Sequence, residues 1–422
     1  MKRKTLFILL AAVIVLAAAG VFIGSKIVSR VGESTALALE PAETPAPVPT
    51  ATPSPEPTPE PTPEIKSLAF PNGVTALSDD VKLDLSSLRG SQLEQALPLL
   101  TEMKELEYIN LGAAGREDAL SFEAVAAVQK ACPQADVDFA FSLFGYDFTT
   151  LDEVMDLNHV KMDDQGAAVR KALSCMKKLK TLDMDFCNVD DEHMAAIRED
   201  YPNVDVIWRI WFGANCSVRT DTEKILAHNF EHDVTDYNST GLKYCTKVKY
   251  LDIAHQHLTD ISFISGMKDL EVFLISSNPI TDLSPIVNCP KMEYLEILCT
   301  KVTDISPLSA LQDLEHLNMV DMRGDSLEGW ETLAGLTKLK RLWLAQDDRK
   351  LRITDETLQM LQQALPNTVI DNADARVNMF WRYTNGTAKT ERFALLSEQF
   401  GYDDYNYQCS RIGNDHKYYQ RS

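Results

Sequence analysis

The sequence predicts an α/β repeat: a solenoid with a parallel β-sheet on its concave face, behind an N-terminal transmembrane helix and a disordered proline-rich linker. Three observations predict it. Short apolar-x-apolar triplets recur at near-constant spacing along most of the chain. An uncharged apolar run of 19 residues, Leu6 to Gly24, stands near the N-terminus. Between them, ten of the 19 prolines fall within residues 41–63. Charge follows the same division, because residues 65–422 hold 36 of the 41 basic and 56 of the 62 acidic side chains. A net charge of −21 argues against a nucleic-acid binder, which needs a basic face.

Lys2, Arg3 and Lys4 form a short head, residues 1–5, before the apolar run. Nineteen residues at about 1.5 Å each reach roughly 28 Å, the depth of a bilayer's hydrocarbon core. Residues 6–24 are therefore expected to be an uncleaved signal anchor, with the head cytoplasmic and the bulk of the chain outside. Lys26 and Arg30 on the far side soften that charge contrast. A cleaved signal, giving a secreted chain, is the alternative. Its small-residue pairs serve it poorly: Ala17 and Ala19 leave Val21–Ile23 behind, and Ala36 and Ala38 lie far from the run. No cysteine precedes Cys132, so no lipid attachment site is present there.

Residues 25–65 form the linker. Its stretch PAETPAPVPTATPSPEPTPEPTPE has proline at nearly every second position and only acidic charges. Such a segment favours extended polyproline II, and at about 3.1 Å per residue it spans on the order of 70 Å. A stalk is expected; an SH3-type ligand is the alternative, set aside by the extracytoplasmic placement.

The repeat organises the rest. Triplets starting at Leu251, Phe273, Leu295 and Leu317 stand 22 residues apart. Counting back gives Val160, Leu182 and Val204 at the same interval. Steps of 25 or 26 link Leu83, Ile109, Ala135 and Val160, then Leu317, Leu342 and Thr368. The gap of 47 from Val204 to Leu251 has room for one irregular repeat. Within residues 248–314 the pattern LxxLxLxxNxLxxLxxL is explicit, with turns TDISFI, TDLSPI and TDISPL. This resembles leucine-rich repeats, and the turns resemble the 22-residue internalin-like class of Gram-positive surface proteins.

The resemblance implies a stack of strand–turn units, each burying one side of its strand against its neighbours. It places Asn278 in an asparagine ladder, with Gln256, Thr300 and Met322 at the equivalent positions. Longer copies carry helical patterns after the strand, FEAVAAVQKA, DEHMAAIRED and DETLQMLQQAL. Two further segments are alike: CPQADVDFAFSLFG from Cys132 and YPNVDVIWRIWFG from Tyr201. Each alternates apolar residues and then reaches Phe-Gly, which reads as a strand running into a hairpin. The expected units are an N-terminal one at 66–145, a middle one with hairpin insertions at 146–245, a regular array at 246–370 and a C-terminal cap at 371–422. The C-terminus reads DHKYYQRS, without the sorting motif of wall-linked internalin-like proteins, so attachment is expected through the N-terminal helix.

Catalytic and metal motifs are not found. The eight cysteines show no CxxC pair, and Cys187 and Cys289 read as buried thiols. His228 and His232 share a helical face with Glu231 nearby but lack a third ligand; His255 and His257 flank a turn. Asp183, Asp185, Asp190, Asp191 and Glu192 read as a solvated acidic face rather than a calcium loop. No GxSxG, P-loop or dinucleotide glycine pattern occurs, and no enzyme or cofactor is expected.

Strand parity supplies candidate ligand-binding residues. It points Tyr250, Asp252, Val272, Leu274, Tyr294, Glu296, Leu298, His316, Asn318, Arg341 and Trp343 away from the repeat core. Aromatic and aliphatic groups edged with charge suit a protein or peptide ligand; shielding the sheet or contacting the C-terminal tail is the competing role. The expected function is a non-enzymatic, membrane-anchored extracellular protein that binds a protein or peptide through this concave face. A carbohydrate-binding protein or envelope-associated hydrolase using the hairpin loops, or a structural spacer, is the alternative.

Overall fold

The structure, a computed structural model, describes residues 64–227, 233–345, 353–372, 383–384, 388–389 and 391–400. The expected signal anchor and nearly all of the linker lie outside the described residues, as do His228, Glu231, His232 and Cys409. No helix among the described residues is long and apolar enough to cross a membrane.

The chain opens with a hairpin, β1 (Ser67–Ala69) and β2 (Thr75–Leu77), whose Leu68, Phe70 and Ala76 join the core. Next come β3 (Lys82–Asp84), α1 (Leu93–Leu100), β4 (Tyr108–Ala113), α2 (Phe122–Ala131), β5 (Asp136–Leu143) and β6 (Tyr146–Thr149). Strands β3, β4 and β5 are parallel, and β6 turns back on β5. A second sheet holds β7 (Val154–Asp156), β8 (Thr181–Asp183) and β9 (Asp205–Ile207), with α3 (Ala167–Leu173) and α4 (Asp191–Asp200) between them. A second hairpin follows, β10 (Arg209–Phe212) with β11 (Cys216–Arg219).

The third sheet is continuous and parallel over seven strands: β12 (Lys224–Leu226), β13 (Tyr250–Asp252), β14 (Val272–Leu274), β15 (Tyr294–Glu296), β16 (His316–Asn318), β17 (Arg341–Trp343) and β18 (Val369–Asp371). Helices α5 (Trp330–Leu333) and α6 (Asp355–Ala364) lie in its last two connections. A short pair, β19 (Tyr383–Thr384) and β20 (Ala388–Lys389), and helix α7 (Glu391–Phe400) end the described chain. The described residues, 64 to 400, fall within one compact unit.

The period of 22 is that of the strands β13 to β16, whose central residues Leu251, Phe273, Leu295 and Leu317 are fully buried. Each repeat then bends through one left-handed residue, four positions after the strand centre: His159, Phe186, His255, Ser277, Cys299 and Asp321 all have φ between 50° and 63°. The next position closes the turn. Asn278 donates Nδ2 to Ile253 O and Ile275 O at 3.0 Å and accepts from Leu258 N. Gln256 does the same work with Val234 N and Ala227 O, and Cys187 donates Sγ to Leu157 O. The ladder is therefore shared between Asn278 and residues other than asparagine. In the tight turns Asp260, Asp282 and Asp304 each accept a bond from the backbone N–H of the serine two residues on, starting a 3-10 helix.

The three helical patterns form α2, α4 and α6, and their starts explain why. Ser121, Asp190 and Thr354 cap the free N–H groups of Ala124, His193 and Thr357, and acidic residues fill each first turn.

Four strand positions differ from expectation. Val137, Val206 and Ile370 hold the register, not Ala135, Val204 and Thr368. Those three residues instead close a turn after proline, bonding back to Cys132, Tyr201 and Leu365 carbonyls. A slip of two keeps side-chain parity, so the buried face is unchanged. Val160 is not in a strand either; it closes the turn after β7, and Met155 pairs with Leu182. The irregular repeat in the gap is β12, with Ile225 beside Leu251. The continuous sheet thus starts at Lys224 rather than at 246.

Both CPQA and YPNV segments run into hairpins, β5–β6 and β10–β11. Phe144 and Gly145 both have positive φ, the two-residue turn that matches strand twist. Buried Thr150 and Thr220 stitch equivalent places: each hydroxyl accepts the N–H of the residue at the hairpin base, Phe139 and Trp208. These hairpins divide the parallel ladder into three sheets.

Candidate binding face

The register stacks the candidate residues into columns on one side of the third sheet. Tyr250, Val272, Tyr294, His316 and Arg341 pair successively in one column, and Asp252, Leu274, Glu296, Asn318 and Trp343 in the next. Leu298 lies just beyond Glu296, in a small apolar cluster with Val320, Trp343 and Ala345. Rings stack across the strands: Tyr294 on His316 at 5.6 Å and His316 near Trp343 at 6.4 Å. The Arg341 guanidinium sits 5.4 Å from the Trp343 ring and 3.5 Å from Asp371. Tyr294 donates its hydroxyl to Glu296 at 2.8 Å.

This face is not open. Val272, Leu274, Tyr294 and Glu296 are at most 1% exposed, and Tyr250, His316 and Arg341 are half-buried. Over the first three lies α7, whose Phe393 and Leu396 are themselves fully buried and share one cluster with them. Leu226, Tyr250 and Leu395 border that cluster. The C-terminal segment was expected to cap the last repeat. Helix α7 lies against the middle of the sheet, and residues 373–382 and 401–422 of that segment lie outside the described residues. The cause is apolar matching: Phe393 and Leu396, three apart on the helix, meet the most apolar patch of the columns. Two polar atoms of this face, Ser276 Oγ and Asn318 Nδ2, are buried without a hydrogen-bond partner among the described residues.

A second feature lies at the middle sheet. Of the acidic cluster read as a solvated face, Asp190 and Glu192 are exposed, whereas Asp183 and Asp185 belong to an ion-pair network. Asp185 is buried and takes two bonds from Arg209, Nε at 2.8 Å and Nη2 at 2.7 Å. Arg219 bonds Asp183 at 2.8 Å and Asp221 at 3.0 Å. Both arginines come from the β10–β11 hairpin, so the acidic strand and the hairpin hold each other. Phe186 is stacked on His159 at 4.9 Å and lies 4.5 Å from the Arg209 guanidinium. Asp191 accepts from Trp208 Nε1 at 3.0 Å, and burial pushes its carboxyl pKa up. Beside these residues is a cleft of about 720 Å³ lined by Phe186, Trp208, Trp211, Asn188, Lys161 and the acidic start of α4. Sequence reading missed Arg209 and Arg219; the charged residue inside the alternating apolar run VIWRIWF was a signal for Arg209.

The seven described cysteines are unpaired and buried, Cys187 and Cys289 among them. Burial pushes the Cys187 thiol up to about 12 and that of Cys289 to about 11, which removes them as nucleophiles. His255 and His257 are exposed. Among the described residues no group of three or more His, Cys, Asp or Glu is placed to hold a metal ion.

With this geometry in place, known proteins can be compared. Residues 268–310 match the family model for leucine-rich repeats, two copies. That stretch is the β14–β15 core of the ladder and its 3-10 turns. No curated protein gives a significant match. Among solved structures, an internalin, InlF, of Listeria monocytogenes overlays at 17% identity and TM-score 0.27, over 66% of this chain and 59% of its own. A leucine-rich-repeat protein of Leptospira interrogans gives 15% and 0.31, over 64% and 74%. The internalin InlC2 of Listeria monocytogenes gives 14% and 0.28, over 67% and 92%. This chain therefore spans less than two thirds of the InlF chain. The repeat class stands on the parallel ladder and the matching repeat pair.

Proposed function

We propose that this chain is a non-enzymatic, membrane-anchored extracellular protein that binds a protein or peptide through the concave face of its third sheet. The observation that supports the reading is a continuous apolar and aromatic strip, Val272, Leu274 and Tyr294, that a helix already occupies. A rigid stacked sheet gives such a strip fixed spacing, so little conformational freedom is lost on binding. The apolar run 6–24 and the proline-rich stretch support an anchor and a stalk that present it outside the cell.

Capture tests it. The full chain, with its partner identified by reciprocal pull-down, is compared with a variant carrying Leu274→Ser, Tyr294→Ser and Trp343→Ser together. Lost capture with an unchanged circular dichroism spectrum is expected; retained capture rejects this face. Protease accessibility of intact cells tests the placement: cleavage in the linker by external protease is expected.

A second reading, carbohydrate binding beside a hairpin loop, has one observation in its favour. The cleft at β10–β11 joins the rings of Phe186, Trp208 and Trp211 to amide and carboxylate groups. Titration with neutral oligosaccharides against wild type and Trp211→Ala checks it.

A further inference from the structure

We infer that α7 is a resident pseudo-ligand, and that the partner this face takes is an amphipathic helix with an aromatic and an aliphatic anchor three residues apart. The inference rests on the concave-face reading above and names the partner's form.

Position is the first ground. A terminal cap belongs over the last repeat, yet α7 packs on β14 and β15, with β16, β17 and β18 beyond them in the sheet. The chain has returned to the middle of the sheet, where a ligand of a repeat scaffold sits. The second ground is how α7 binds. Of its described side chains only Phe393 and Leu396 are buried; Leu395 and Ser397 are half-buried, and Ala394 and Glu398 are exposed. One stripe of a helix seated on apolar residues is the helix-in-groove mode of peptide recognition. The third ground is polar capacity on the same face. Ser276 Oγ and Asn318 Nδ2, in the outward columns, stay buried without partners among the described residues, which leaves donors and acceptors for a bound segment to satisfy.

A resident helix lowers the apparent affinity of an incoming one by the fraction of time the face is uncovered. Two polar substitutions in α7 should therefore raise affinity, which is opposite to what loss of a merely structural element does.

The experiment uses the full chain and a defined probe. The probe is a fluorescent synthetic peptide of residues 388–400, stapled between positions 394 and 398, which are exposed in the docked helix. The staple offsets the poor helicity of so short a peptide. The double variant Phe393→Ser/Leu396→Ser is expected to bind the probe saturably and at least about tenfold more tightly than the wild-type chain. Adding Leu274→Asp to that variant should abolish binding, and a probe with serine at both anchors should not bind. Equal binding to wild type and double variant overturns the inference. So does absence of binding to a double variant whose circular dichroism and hydrogen exchange remain those of the folded repeats. A probe that binds while no natural partner is captured leaves the helix-receptor inference standing and removes the functional proposal instead.

Discussion

Replacing Arg209 by methionine removes a buried charge while keeping an unbranched stem at the same place. The side chains of Arg209 and Asp185 are 4% and 8% exposed and joined by two bonds of 2.8 and 2.7 Å. Removing one member of such a pair leaves an uncompensated buried charge, a cost of about 3–5 kcal/mol. Arg219 Nη1 lies 3.6 Å from the same carboxylate and supplies part of the missing positive charge. The lower end, about 3 kcal/mol, is therefore expected. Replacing both, Arg209→Met with Asp185→Leu, should return to within about 1 kcal/mol of wild type, since an apolar pair of similar volume is often neutral there. The coupling between the two substitutions should then be at least about 2 kcal/mol. Urea unfolding followed by tryptophan fluorescence measures this, because Trp211 lies on β10 with Arg209 and Trp208 immediately precedes it. A stacked repeat can unfold in stages, so hydrogen exchange of β8 to β11 is read alongside. A loss below about 1 kcal/mol for Arg209→Met would refute the claim that this pair holds the hairpin against the sheet.

Other outcomes follow from particular contacts. Asn278→Ala should cost about 2–3 kcal/mol, because it strands the Ile253 and Leu258 peptide groups, while Thr300→Val, which loses one bond to Ile297 O, should cost about 1; chemical denaturation of the two variants compares them. Asp191→Asn should raise the unfolding temperature at neutral pH. Its raised carboxyl pKa means the folded chain binds that proton more tightly than the unfolded chain, so stability from this group grows as pH falls through the raised value and levels off below the ordinary one. The substitution should flatten that part of the stability–pH curve, and an unchanged curve would count against it. The seven described thiols should react with a disulfide reagent at pH 8 only after unfolding; rapid labelling of any of them in the native chain contradicts their burial.

The period was legible because each tight repeat is the same device: one buried triplet, one left-handed residue, one turn-closing side chain and one Asp-capped 3-10 turn. Parity chose positions that the register then stacks in columns along the third sheet. What parity does not carry is what lies over them. Phe393 and Leu396 are about 100 residues from Tyr294 along the chain, and no local pattern links the two. Helices α2, α4 and α6 were readable from their patterns FEAVAAVQKA, DEHMAAIRED and DETLQMLQQAL, and each is held by a side-chain cap. Strand starts after proline were not, because Ala135, Val204 and Thr368 are apolar or β-branched residues that bond backward into a turn two positions early. Val160-Lys-Met162 imitates a strand triplet at the right spacing, while the real strand, Val154–Asp156, shows only one buried residue. The acidic run near α4 looked solvated because its arginine partners come from a hairpin more than 20 residues later.

Hydrogen exchange on the full chain bears most directly on the claim that a removable helix covers the binding face. Amides of α7 between Phe393 and Ser397 are expected to exchange at least about 100-fold faster than those of β14 and β15, through a local opening that leaves the sheet intact. Equal protection of helix and sheet, lost only on global unfolding, would make α7 a fixed part of the core and contradict the account.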